Sequence, residues 1–117
     1  MQEVANLDAV FLAMADPTRR AILARLAKGE ATVMELAEPF SMTQPAVSQH
    51  LKVLEGAGLV MSRVDGARRP RRLAPAGIDV MEQWLSMLRR GMEKSYDRLD
   101  AVLASMEVPK RKKGRRS

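Results

Sequence analysis

From Ile78 to Met106, apolar side chains recur every three or four residues: Ile78, Met81, Leu85, Leu88, Met92, Tyr96, Leu99, Leu103 and Met106. That period is one face of an α-helix. The spacing predicts a helix from about Pro75 or Ile78 to about Met106. Such a helix is longer than one small domain covers, and an uncovered apolar stripe calls for a partner chain. The chain has 117 residues, enough for one domain with a modest core, and association adds burial at this size.

Four shorter helices precede it. Leu7, Val10, Phe11 and Met14 form the first stripe. Asp16-Pro17 then places an N-cap residue before a proline whose fixed φ suits the first helical position. The helix it opens turns Ile22, Leu23 and Leu26 inward and runs out at Gly29, which can take a left-handed cap. Thr32 and Glu35 make a T-x-x-E capping box for the third helix, whose stripe is Val33, Leu36, Ala37 and Phe40. Pro39 disfavours helical dihedrals at Glu38, so this helix is expected to end about there. Thr43 caps a fourth helix from Gln44 to about Ala57, with Pro45 in its first turn and Gly58 as its stop. Two helices joined by so short a turn form a helix-turn-helix.

The fourth helix carries the sharpest signal. Val47, Leu51 and Leu54 share one face, and Pro45, Gln49 and Lys52 fall within roughly 40° of the opposite pole. Ser48 and Gln44 lie on the flank. Small amides and hydroxyls of this kind suit a major groove. Glutamine can pair with an adenine edge through two hydrogen bonds, and serine can donate or accept. Lys52 is placed for phosphate or guanine, while Thr43 and the free N–H groups at the helix start can hold a phosphate. His50 lies at the edge of the buried face, a packing or hydrogen-bonding position.

Leu59 to Val64 reads as a strand, Asp65-Gly66 as a hairpin turn and Arg71 to Ala74 as the return strand, with Pro70 tolerated near its start. The net charge is +6. Its position matters more than its sum. The run Lys110, Arg111, Lys112, Lys113, Arg115, Arg116 accounts for the whole excess, so residues 1–109 are formally neutral. Within that neutral body, Arg63, Arg68, Arg69, Arg71 and Arg72 face a single nearby acid, Asp65. An arginine hairpin beside a groove-reading helix would hold phosphates or enter a minor groove.

Other classes find little support. The chain has no cysteine and one histidine, so thiolate sites and multi-imidazole metal sites cannot form within it. No tuned nucleophile, acid–base pair or glycine-rich phosphate loop nominates an active site, so no enzyme and no cofactor are expected. No apolar run is long enough for a bilayer, and the N-terminus lacks the pattern of a signal peptide, so the expected location is the cytoplasm. Aromatic residues are too few for recognition of RNA by base stacking.

The segments DPTRRAIL at Asp16–Leu23 and GEATVMELAEPFSMTQPAVSQHLKVLEGAGLV at Gly29–Val60 resemble the ArsR family of winged-helix repressors. The resemblance extends more loosely over roughly residues 5–105. It implies a mainly α fold with a small β-hairpin wing, dimeric through its first and last helices. On this chain those helices offer Leu7, Val10, Phe11, Met14, Trp84, Leu88, Met92, Tyr96 and Leu99. It implies operator binding by the Gln44–Ala57 helix, with readout falling on Gln44, Ser48 and Gln49 and wing contacts alongside. The metal-sensing pattern of the family is missing here. The third helix has no cysteine, and the last helix has Asp79, Glu82 and Glu93 but no histidine.

The expected function is therefore a sequence-specific, DNA-binding transcriptional regulator, a repressor acting as a homodimer on a pseudo-palindromic operator. Residues 1–109 would be its DNA-binding and dimerisation domain, and residues 110–117 a basic tail. The alternative is a non-specific nucleic-acid-compacting protein driven by arginines and tail. Deleting Lys110–Ser117 separates the two. A titration against duplex DNA should show sequence preference surviving the deletion, whereas complete loss of binding would favour compaction.

Overall fold

The computed structural model describes residues 5–106. The basic run at 110–116 lies outside them. The order of elements is α1 (Leu7–Met14), α2 (Pro17–Leu26), α3 (Val33–Phe40), α4 (Gln44–Gly56), β1 (Val60–Ser62), β2 (Arg71–Leu73) and α5 (Pro75–Ser105). Two compact units divide the chain, Met1–Gln83 and Trp84–Ser117, so that α5 contributes to both.

The starts of α1, α2, α3 and α4 share one device, a side chain that accepts the N–H three residues on. Asn6 accepts from Ala9 at 3.0 Å, Asp16 from Arg19 at 2.9 Å and Thr43 from Ala46 at 3.2 Å. Thr32 and Glu35 close the reciprocal box at 3.3 and 2.8 Å. The α1–α2 junction also satisfies the carbonyls orphaned at the end of α1. Arg19 donates to Ala13 and Leu12 at 2.8 and 3.2 Å, and Arg20 donates to Met14 at 2.7 Å. The Asp-Pro-Thr-Arg-Arg run thus starts one helix and finishes another.

Burial follows the predicted stripes. Val10 and Ala13 of α1, Ile22 and Leu26 of α2, Leu36 and Ala37 of α3 and Val47, Leu51 and Leu54 of α4 enclose a core completed by Ala31, Ala57, Leu59 and Val60. Leu23, Val33, Phe40, Met42, Ile78 and Met81 pack against it half-buried. Among the described residues no polar or charged group is buried. The core therefore carries no desolvated polar side chain that would need a partner.

Two details depart from the sequence reading. Helix α3 does not stop before Pro39 but runs through it to Phe40. The proline falls in the last turn, and Phe40 gains contact with the core by staying helical. The chain then reverses at Ser41, whose φ of 54° is left-handed, a position where glycine or asparagine is commoner. In the hairpin, Asp65 and Arg68 exchange two 3.0 Å backbone bonds around Gly66-Ala67. Gly66, not Asp65, is thus the first central residue. Its φ of 63°, with no positive φ at Ala67, marks a type II′ turn. The pairing Val60–Leu73, Met61–Arg72, Ser62–Arg71 continues in register to this turn. Strand β1 stops at Ser62, short of the expected Val64, where Pro70 accepts from Arg63 N–H at 3.1 Å but has no N–H to return.

Helix α4 ends in a Schellman cap: Leu59 N–H bonds Leu54 O, Gly58 N–H bonds Glu55 O, and Gly58 is left-handed at φ 74°. The first turn of α5 presses on this cap. Gly77 N–H donates to Gly58 O at 2.7 Å, and a Cβ on Gly77 would lie 2.8 Å from both Ala57 O and Gly58 O. In the second unit, the described residues from Trp84 onward are helical through Ser105 and none is buried. Its large apolar side chains, among them Trp84, Leu88, Met92, Tyr96 and Leu99, are exposed. Among the described residues no helix is long and apolar enough to cross a membrane.

Two stability outcomes follow from the glycines. Gly77→Ala drives a methyl into backbone and should cost roughly 1–3 kcal/mol in urea unfolding. Gly56→Ala, at a helical position with open space, should be neutral or stabilising by up to about 1 kcal/mol. Asp16 is held below the ordinary carboxylate range, first by the Arg19 N–H it accepts. A carboxyl with a lowered folded-state value stabilises fully above its unfolded value and loses that contribution as pH falls through the folded one. Asp16→Asn, which keeps an acceptor without the charge, should therefore flatten the acid limb of urea midpoint against pH.

Candidate nucleic-acid interface

With Val47, Leu51 and Leu54 all 1% exposed or less, α4 has no freedom to rotate. Its outward face is the one read from the wheel: Gln44, Pro45, Ser48, Gln49 and Lys52 are exposed, and so is the cap Thr43. None of the Gln44, Ser48, Gln49 or Lys52 side chains bonds to another described residue. Ser41, Met42 and Thr43 form the turn that sets α4 against α3. His50, half-buried, places Nδ1 3.5 Å from Arg19 Nη1, so it belongs to the α1–α2 junction.

The wing arginines do not form a uniform cluster. Arg63 makes a two-point contact with Glu30 at 2.9 and 2.9 Å, and lies 4.0 Å from Asp65. The hydrogen bond from Arg63 lowers the Glu30 carboxyl, and the same contact raises the guanidinium. Arg68 stands 3.7 Å from Asp65 and 3.8 Å from Glu35. Glu35 is itself lowered, mainly by the Thr32 N–H it accepts in the capping box. Arg71 bonds Glu55 at 3.1 Å and the Arg69 carbonyl at 2.9 Å, with only 16% of its side chain exposed. Arg69 and Arg72 are exposed and have no ion pair among the described residues.

The residues proposed for association also divide. Val10 is wholly enclosed by the core of its own chain and has no surface to offer a second one. Leu7 is half-buried, and Met14 packs partly against the core. Phe11 is exposed, as are Trp84, Leu88, Met92, Tyr96 and Leu99. Sequence reasoning missed the acids Glu30 and Glu55, which take up two of the wing arginines. Glu30 lies 33 residues from its partner, beyond any local signal. Alternation along β2 would have set Arg71 and Arg72 on opposite faces. Among the described residues no cluster of three or more His, Cys, Asp or Glu could hold a metal ion.

Residues 16–62 match the family model described as bacterial regulatory protein, arsR family. The chain is 45% identical to the HTH-type transcriptional regulator Rv2034 of Mycobacterium tuberculosis, over 78% of each protein. Among solved structures, it is similar to the ArsR family transcriptional regulator RHA00566, with a TM-score of 0.68 and 37% identity over 77% of this chain and 97% of that one. It is also similar to Mb0332 from Mycobacterium bovis, described as a homodimeric winged helix-turn-helix DNA-binding domain (TM-score 0.57, 30% identity, 74% of this chain and 78% of that one). A capped helix-turn-helix, an antiparallel wing and a long last helix, together with these likenesses, place the chain in the ArsR family of winged helix-turn-helix transcriptional regulators.

Proposed function

We propose that the chain is a cytoplasmic, homodimeric DNA-binding regulator that represses by covering a pseudo-palindromic operator. The observation that carries this reading is the exposed face of α4. Gln44, Ser48, Gln49 and Lys52 point away from a core that fixes the helix, and no other described residue bonds to their side chains. Gln44, Ser48 and Gln49 read base edges in the major groove, while Thr43, Pro45 and Lys52 position the helix on the backbone. The wing, with Arg63, Arg68, Arg69 and Arg71, lies along the adjoining backbone. We assign the chain no catalytic role.

Residues 1–109 act as the DNA-binding and dimerisation unit, with residues 110–117 as a basic appendage. The dimer forms through Phe11 and its neighbours on α1 and through the exposed stripe of α5. The homodimeric description of Mb0332 supports this. Twofold symmetry places two α4 helices on half-sites about one helical turn apart. A repressor of this size acts by occupying the promoter.

Selection of bound duplex from a random library should recover a palindrome. Against that operator, Gln49→Ala should lose about 1–3 kcal/mol of discrimination at one base pair in each half-site. Lys52→Ala should weaken all sequences alike and reduce the slope of log affinity against log salt by ~0.9 for each phosphate it no longer neutralises. No enriched sequence, or wild-type affinity and preference in both variants, would overturn the reading.

A further inference from the structure

The hairpin carries five arginines, and their surroundings assign them unequal work. Arg71 sits at a junction of four segments. Its N–H donates to Ala31 O at 2.8 Å and its carbonyl accepts from Ala31 N–H at 3.1 Å, which fastens β2 to the segment before α3. Its other edge pairs with Ser62 of β1. Its guanidinium reaches Glu55 in the last turn of α4 and the carbonyl of Arg69 in the wing. To touch a phosphate, this side chain would have to leave a carboxylate and a carbonyl together from a largely covered position. Arg72 is the next residue along the strand, so its side chain leaves from the opposite face, where it is exposed. Glu30 feels the charge of Arg72 but stays beyond ion-pair distance and is already engaged twice by Arg63. Arg69 is exposed, and its backbone is held by the bond from Arg71.

We infer that Arg71 is a positioning residue, fixing the wing against the end of α4 through Glu55, and that Arg69 and Arg72 are the wing's phosphate contacts. This rests on the DNA-binding reading above and refines it. Arg63 and Arg68, each facing carboxylates at the surface, trim the charge of the wing and hold it over the start of α3. The wing's grip on a duplex is thus set by two exposed guanidiniums and one largely covered strut.

The slope of log affinity against log salt separates the two kinds of arginine, because it counts phosphates neutralised and not the stability of the fold. The measurement uses the full chain and its selected operator duplex. Far-UV circular dichroism confirms that each variant is folded. Arg69→Ala and Arg72→Ala should each reduce the slope by ~0.9 per phosphate left without its guanidinium. Arg71→Ala should weaken binding severalfold and leave the slope at the wild-type value. Glu55→Ala should weaken binding by a similar factor, although it removes a negative charge, and the double variant should be no weaker than either single one. Arg71→Lys keeps the charge but cannot span both acceptors, so it should behave as Arg71→Ala; it also serves if the alanine variant does not fold. Tighter binding by Glu55→Ala, wild-type binding by Arg71→Lys, or unchanged slopes in Arg69→Ala and Arg72→Ala would each overturn the assignment. A wild-type chain indifferent to duplex DNA would remove the parent reading and this one with it.

Discussion

Burial of Val47, Leu51 and Leu54 is the constraint on which the rest of the interface depends. Three large aliphatic side chains on one face of α4 leave water together, each gaining on the order of 1.5–3 kcal/mol. That energy has a direction. It turns the helix to one angle about its axis, and Ser48, Gln49 and Lys52 are then outside without any side-chain bond to hold them there. Leu36 and Ala37 of α3 and Leu59 beyond the Schellman cap belong to the same buried cluster, so the angle is set from both ends. Among the described residues of the core no polar side chain is buried, so none has to be satisfied inside it.

Electrostatics organises the wing in a different way. Exposed ion pairs contribute little to stability one by one. Here they act chiefly on geometry. Glu30, Glu35 and Glu55 come from the segment before α3, from its first turn and from the end of α4, and each faces a different wing arginine. A two-stranded hairpin this short would have little hold on its orientation alone. The backbone bridge between Ala31 and Arg71 adds a further point of attachment. Three carboxylates and one bridge therefore do for the wing what apolar packing does for α4.

The legible parts of the fold are those encoded within a turn or two of sequence. Asp16-Pro17, Thr32 with Glu35, and Thr43 announce helix starts because the cap and its acceptor N–H lie three residues apart. The outward face of α4 is legible because helical periodicity fixes it once the buried face is known. What escapes depends on distant partners. Val10 belongs to the stripe of α1, but it is buried in a helix that packs on both α2 and α4. Pro39 reads as a stop until Phe40 is seen to pack on the core. The turn centre at Gly66-Ala67 is chosen by the register of the strands, which the Asp-Gly pair alone does not specify. The tight approach of Gly77 to Gly58 has no signature in either neighbourhood, and the arginines of the wing look equivalent until their acids are found.

The idle state of the α4 face has a consequence for how such a molecule changes over generations. The side chains of Gln44, Ser48 and Gln49 make no bond to any other described residue, and none lies in the core. Exchanging them for other small polar residues leaves folding free energy almost untouched, as is general for surface positions without special contacts. If these residues read the operator as proposed, one copy can drift to a new binding preference after gene duplication without passing through an unstable intermediate. In the proposed reading, stability and recognition are written in separate letters of the same thirteen-residue helix, and only the second set is free to vary.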